Sequence, residues 1–167
     1  MRAGLAEAWR SRVAGQAAES DERIAAEHNL ASSLVHQGKA VEAEPMFRRL
    51  HAVMMRVLGA EHPDTLTSAI NLAGSLSKQG KYAHAERIER EVHEVQKRVL
   101  GAEHPNTLAS ANNLAWSLSH QGKYAEAEQM LHAALASLQR VLGPSHPDTL
   151  QTATTWRKCG LSSAPSR

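Results

Sequence analysis

Apolar residues recur along the chain at helical spacing. Leu66, Ala69, Leu72, Ala73 and Leu76 fall on one face of a helix, and Leu108, Ala111, Leu114, Ala115 and Leu118 repeat that face 42 positions later. Ala85, Ile88, Val92, Val95 and Val99 mark a second helix, matched by Ala127, Met130, Ala134 and Val141. The same alternation reaches towards the N-terminus. One helix is predicted over 22–36, with Ile24, Leu30, Ala31 and Leu34 inward, and another over 40–57, with Ala43, Met46, Phe47, Leu50, Val53 and Val57 on one stripe. Leu5, Ala8, Trp9 and Val13 predict a further helix within residues 1–16.

The polar faces are less regular. Glu89, Arg90, Glu91 and Glu94 stand where the next unit has Leu131, His132, Ala133 and Ala136, which reads as an outer face meeting water. Leu131, Leu135 and Leu138 leave two readings open, deeper cover or an exposed apolar patch.

Breakers punctuate these helices at fixed stations. Gly59 and Gly101 close one helix, and Pro63 and Pro105 open the next with φ already suited to a helix start. Gly38, Gly80 and Gly122 allow a reversal within a few residues, so the two helices of a unit are expected to be antiparallel. Pro45 is out of place, because inside a helix proline removes a backbone hydrogen bond and crowds the preceding turn. It predicts a late start or a bend.

Residues 59–100 and 101–142 are identical at 25 of 42 positions, 22 of them within the first 28. A repeat of that length implies a solenoid, each helix pair burying its apolar face against its neighbours. The expected organisation is a capping helix over 1–16, a degraded repeat over 17–58, repeats at 59–100 and 101–142, a partial repeat or capping helix over 143–160, and a disordered tail over 161–167. In the degraded repeat, Ser20 or Asp21 replaces His-Pro as the expected N-cap. The fold class expected is all-α, a right-handed α-solenoid.

Composition narrows the function classes. Only six of 167 residues are aromatic, so the core is expected to be Ala, Leu and Val in closely packed helices. Lys and Arg number 19 against 17 Asp and Glu, with no basic run beyond pairs such as Arg48-Arg49, which argues against nucleic acid as a partner. The single Cys159 excludes an internal disulfide and suits a reducing, cytoplasmic setting. No stretch approaches the ~18 apolar residues of a membrane span, and the arginines of residues 1–20 are interrupted by Glu7 and Glu19 in a way that fits no secretory signal, which leaves a structural helix as the first reading and a transit peptide as the second.

Catalytic and cofactor motifs fail on inspection. His62, His104 and His146 sit on successive units, roughly 10 Å apart by the usual helix spacing, whereas zinc needs its ligands within ~2.1 Å of one point. The pairs Gly80-Lys81 and Gly122-Lys123 are followed by Tyr82 and Tyr124, not the Ser or Thr of a phosphate loop. No metal, cofactor or enzymatic activity is expected.

The words Leu-Gly-x-x-His-Pro at 58–63, 100–105 and 142–147, Asn-Leu-Ala at 29–31, 71–73 and 113–115, and Gln-Gly-Lys-Tyr at 79–82 and 121–124 recur in register. In these words the chain resembles the 42-residue tetratricopeptide repeats of kinesin light chains. The resemblance implies that first helices line a groove for an extended peptide, with an asparagine of each first helix bonding its backbone. The matching positions are Asn29, Asn71 and Asn113; the fourth unit has Thr155 instead. Neighbouring groove positions are His28, Ser32 and His36, then Ile70, Gly74 and Lys78, then Asn112, Trp116 and His120. The function implied is non-catalytic binding of a peptide or protein partner by a monomer or weak self-associator. The alternative is an assembly module that stacks through its truncated ends, with sensitivity around Trp156.

Overall fold

The structure, a computed structural model, describes residues 22–160. The capping helix expected over 1–16, the cap at Ser20 or Asp21, and the tail expected over 161–167 lie outside the described residues. Within the described residues seven helices follow in order: α1 over 22–36, α2 Ala40–Leu58, α3 Pro63–Lys78, α4 Tyr82–Leu100, α5 Pro105–Ser119, α6 Tyr124–Val141 and α7 Pro147–Lys158. Each of α2 to α7 packs on the helix before or after it in sequence, and α5 also meets α7. Among the described residues there is no strand, and the architecture is an all-α solenoid.

The recurring sequence words are joints of this array. Histidine opens three helices: Nδ1 of His62, His104 and His146 accepts the backbone N–H of Asp64, Asn106 and Asp148 at 3.2, 3.2 and 3.3 Å, with the following proline at the first helical position. The imidazole satisfies a donor that the helix itself leaves orphaned.

The Gly-Lys pair closes the first helix of each unit. Gly80 takes φ 76°, its N–H bonds the Ser77 carbonyl and the Lys81 N–H bonds that of Leu76, both at 3.0 Å. This is the left-handed termination that glycine makes without a Cβ penalty. Gly122 and Lys123 repeat it on Ser119 and Leu118.

The glutamine and lysine of that turn then reach back to the previous unit. Gln79 and Lys81 donate to Glu44 at 3.0 and 2.8 Å, and Gln121 and Lys123 donate to Glu86 at 2.7 and 2.6 Å. Arg48 and Arg90 add a third donor from the glutamate's own helix. Lys81, Arg48 and Gln79 hold the Glu44 carboxyl at about 2. Against the burial that would raise it, Lys123, Arg90 and Gln121 hold Glu86 at about 2 as well.

The core is a chain of small clusters running between units. Ala31, Ala43, Phe47, Leu50, Leu72, Ala73, Leu76 and Ala85 form one, and Leu114, Ala115, Leu118, Ala127, Leu131, Trp156 and Cys159 another. Several inward assignments are corrected. Leu30 of α1 is 55% exposed, on a flank that no helix covers among the described residues. Val57, Val99 and Val141 are exposed because each lies in the last turn of a second helix, past the residues that its neighbours cover. Leu131, Leu135 and Leu138 are deeply covered and form no surface patch. Trp156 is buried at the station of Leu72 and Leu114, so it belongs to the core and offers no end surface.

Pro45 neither delays nor ends α2, which runs continuously from Ala40. Its missing N–H would have met the carbonyl of Val41, an exposed residue whose carbonyl water can satisfy.

Candidate functional site

The first helices α1, α3 and α5 together line a cavity of about 350 Å³. From α1 come Ser32, Val35 and His36; from α3, Ile70, Asn71, Gly74 and Lys78 among others; from α5, Asn113 and Trp116; Phe47 of α2 and Glu89 of α4 reach it from the second helices. Successive first helices stand side by side because the second helices between them carry the inter-unit seams, which leaves one flank of each first helix unpacked. Gly74 widens this flank. An added Cβ there would meet nothing within 4 Å, while the same station holds Ser32 one unit earlier and Trp116 one unit later.

The structure brings most of the sequence-predicted residues to this cavity. Asn71, Asn113, Trp116 and Lys78 line it together with Ser32, His36, Ile70 and Gly74. Asn71 is half-buried and already engaged, its Nδ2 donating to His28 Nε2 at 2.8 Å. Asn113 is exposed. Trp116 is half-buried and stacks at 4.3 Å on His120, which stacks in turn on Tyr82 at 4.4 Å.

Other expected residues stand elsewhere. His120 bonds the Trp116 carbonyl at 2.9 Å and braces the indole from behind rather than lining the cavity. Asn29 lines an adjoining cavity of about 310 Å³ with His28, Leu50 and Thr67, which Asn71 also reaches. Asn112 is corrected: it is only 8% exposed and its Oδ1 has no hydrogen-bond partner among the described residues, whereas His28 and Ile70 at the same station are half-buried.

Glu89, expected on a water-facing surface, is the largest correction. Its side chain is 6% exposed, it lines the cavity, and its Oε2 has no hydrogen-bond partner among the described residues. Burial pushes the carboxyl up to about 7, with the Ser117 hydroxyl pulling partly back and the Glu86 charge adding to the rise. The signal that finds it is the register. The same station holds Phe47 one unit earlier and Leu131 one unit later, 2% and 0% exposed, so a carboxyl occupies a core position in the middle unit. Gln96, two turns further along α4, repeats the substitution: it is buried with Oε1 unpartnered and lines an adjoining cavity of about 420 Å³ that shares Ile70 and Asn113.

The array of joints, helix pairs and shared first-helix cavity is that of a helical-repeat solenoid. The tetratricopeptide repeat models match residues 22–97 and 107–148, and the chain belongs to the tetratricopeptide-repeat family. Its repeats are kinesin light chain-like. Two crystal structures of a putative kinesin light chain from Podosopora anserina with nearly identical TPR-like repeats, one of them of a single-residue variant, superpose with a TM-score of 0.74 at 28% identity, over 83% of this chain and 67% of that one. The fold is shared also with BtubC (BKLC) from P. vanneervenii, TM-score 0.65 at 19% identity over 79% of this chain and 54% of that one. No curated protein matches the chain in sequence.

Tetratricopeptide repeats mediate protein–protein interaction in general. Among the described residues no group of three His, Cys, Asp or Glu side chains is placed to hold a metal ion, and no helix is long and apolar enough to cross a membrane.

Proposed function

We propose that the chain is a non-catalytic interaction module that binds an extended segment of a protein partner along the first helices. The observation that carries this reading is the convergence of Asn71, Asn113, Trp116 and Lys78, from two units, on one cavity of about 350 Å³. An extended backbone offers donors and acceptors repeatedly, and an exposed amide such as Asn113 can answer both. Trp116, braced by His120, provides a stiff apolar wall for a partner side chain. Lys78 at the rim supplies positive charge, and His36 a ring nitrogen for hydrogen bonding.

Peptides selected from a random displayed library on the wild type provide the test. Asn113→Ala, which removes an exposed amide and no core contact, should weaken selected peptides by ~1–3 kcal/mol, and Trp116→Ala by a similar amount or more. Asn71→Ala is a poorer probe because it also breaks the bond to His28. Equal affinities for the wild type and a folded Asn113→Ala/Trp116→Ala double variant would move the binding surface elsewhere.

One observation favours the assembly reading as a second. Leu150 stands at the station of Leu66 and Leu108, both buried, yet is 54% exposed, since among the described residues no second helix follows α7 to cover it. End-to-end stacking predicts a mass that rises with concentration and stays low in Leu150→Glu, read by analytical ultracentrifugation.

A further inference from the structure

We propose that the cavity between α1, α3 and α5 is a recognition pocket for one basic side chain, lysine or arginine, of the bound peptide, with the Glu89 carboxyl at its floor and the Trp116 indole as its wall. The proposal rests on the peptide-binding reading and names the residue that this site would select.

Two exchanges, both confined to the middle unit, build the pocket. At the core station shared with Phe47 and Leu131 the chain has Glu89, and at the first-helix station shared with Ser32 and Trp116 it has Gly74. The first puts a carboxyl where packing calls for a hydrocarbon. The second removes the side chain that would otherwise stand over that space, and nothing lies within 4 Å of the missing Cβ. A buried carboxyl with one oxygen unpartnered costs stability and gives no packing in return. Such a residue lining a cavity is a site for a donor supplied from outside.

The surroundings favour a cation as that donor. Val35, Phe47, Ile70 and Trp116 supply apolar lining beside the hydroxyls of Ser32, Ser75 and Ser77, and that apolar surface suits the methylene stem of a lysine or arginine. Trp116 offers the aromatic face that most strongly attracts a cation. The last side-chain torsion of Glu89 is a soft one, and turning about it exchanges the places of the two carboxyl oxygens.

The charged groups facing the site are few. Lys78 of α3 and His36 of α1 are at the rim, where water screens them. Glu86, one turn before Glu89 on α4, is already neutralised by Arg90 and Lys123. Among the described residues none of these pairs with Glu89. A buried ion pair completed by the ligand therefore requires the carboxyl to be ionised, and binding of the basic residue should release a proton below about pH 7, where the free chain holds one.

The experiment selects peptides from a random displayed library on the wild-type chain at about pH 8, where the Glu89 carboxyl is ionised. Selected peptides should share lysine or arginine at one fixed position. In a synthetic copy of one such peptide, replacing that residue with glutamine should weaken binding roughly 10–100-fold at about pH 8 and much less at about pH 5.5, where Glu89 is protonated. Glu89→Gln should bind both peptides alike, and Gly74→Trp, which fills the window as Trp116 does one unit later, should exclude the basic residue while leaving Glu89 in place. Selected peptides that depend on Asn113 and Trp116 but tolerate glutamine at every basic position overturn the pocket and leave peptide binding standing. A library that yields no peptide dependent on Asn113 or Trp116 overturns both.

Discussion

Leu72 and Leu114 occupy one station in successive units, 3% and 2% exposed, and each sits in a core cluster that joins neighbouring helix pairs. Truncating such a seam leaves a cavity that close-packed helices cannot fill, so Leu114→Ala should cost ~2–5 kcal/mol. A melting temperature lowered by several degrees is expected, given that each kcal/mol moves a domain of this size by ~2–4 °C; a shift within ~1 °C would take Leu114 out of the core. Residue-scale burial is legible in the sequence from apolar type and register together at Leu72, Leu114 and Phe47. It fails at Glu89, where residue type suggests water and the station dictates the interior. It fails in the opposite sense at Leu30, which shares the station of Leu72 and Leu114 but has no helix over it among the described residues, and at Val57, in the last turn of α2. Comparing the three occupants of each station, rather than the polarity of each residue alone, places Glu89 correctly.

At the scale of elements, the recurring words act between units more than within them. Gln-Gly-Lys ends one first helix and then clamps the glutamate of the preceding second helix, a function visible only once two units are stacked. The sequence displays the repetition of those words and their place at turns, but a clamp spanning 35 to 37 residues leaves no local signature. The Glu44 and Glu86 carboxyls are held at about 2, well below their ordinary value of 4.5. A folded-state value below the unfolded one gives stability that is present above about 4.5 and lost as pH falls towards 2. Acid unfolding should thus begin below about pH 4.5, and Glu86→Gln, which keeps the shape but not the charge, should flatten that slope. A variant whose unfolding midpoint falls with acid as steeply as the wild type's would show that the clamp is too weakly held to matter.

Across the whole molecule the same linkage acts with the opposite sign in the middle unit. Glu89 is pushed up to about 7 by burial, so the folded chain holds a proton that the unfolded chain has already released above about 4.5. Its contribution is complete at low pH and is lost as pH rises through the window from about 4.5 to about 7, by a few kcal/mol as an order of magnitude. The clamps penalise acid and the buried carboxyl penalises neutrality, which places the stability maximum between the two windows, near pH 4.5–5. Glu89→Leu, which installs the residue found at this station in the next unit, should remove the neutral limb and leave the acid limb unchanged. Denaturant midpoints measured across both windows for wild type and variant give the comparison. If Glu89→Leu gains nothing at neutral pH, the carboxyl is already satisfied in the folded chain. It would then be no cost held in reserve for a ligand, and the pocket would lose its energetic rationale.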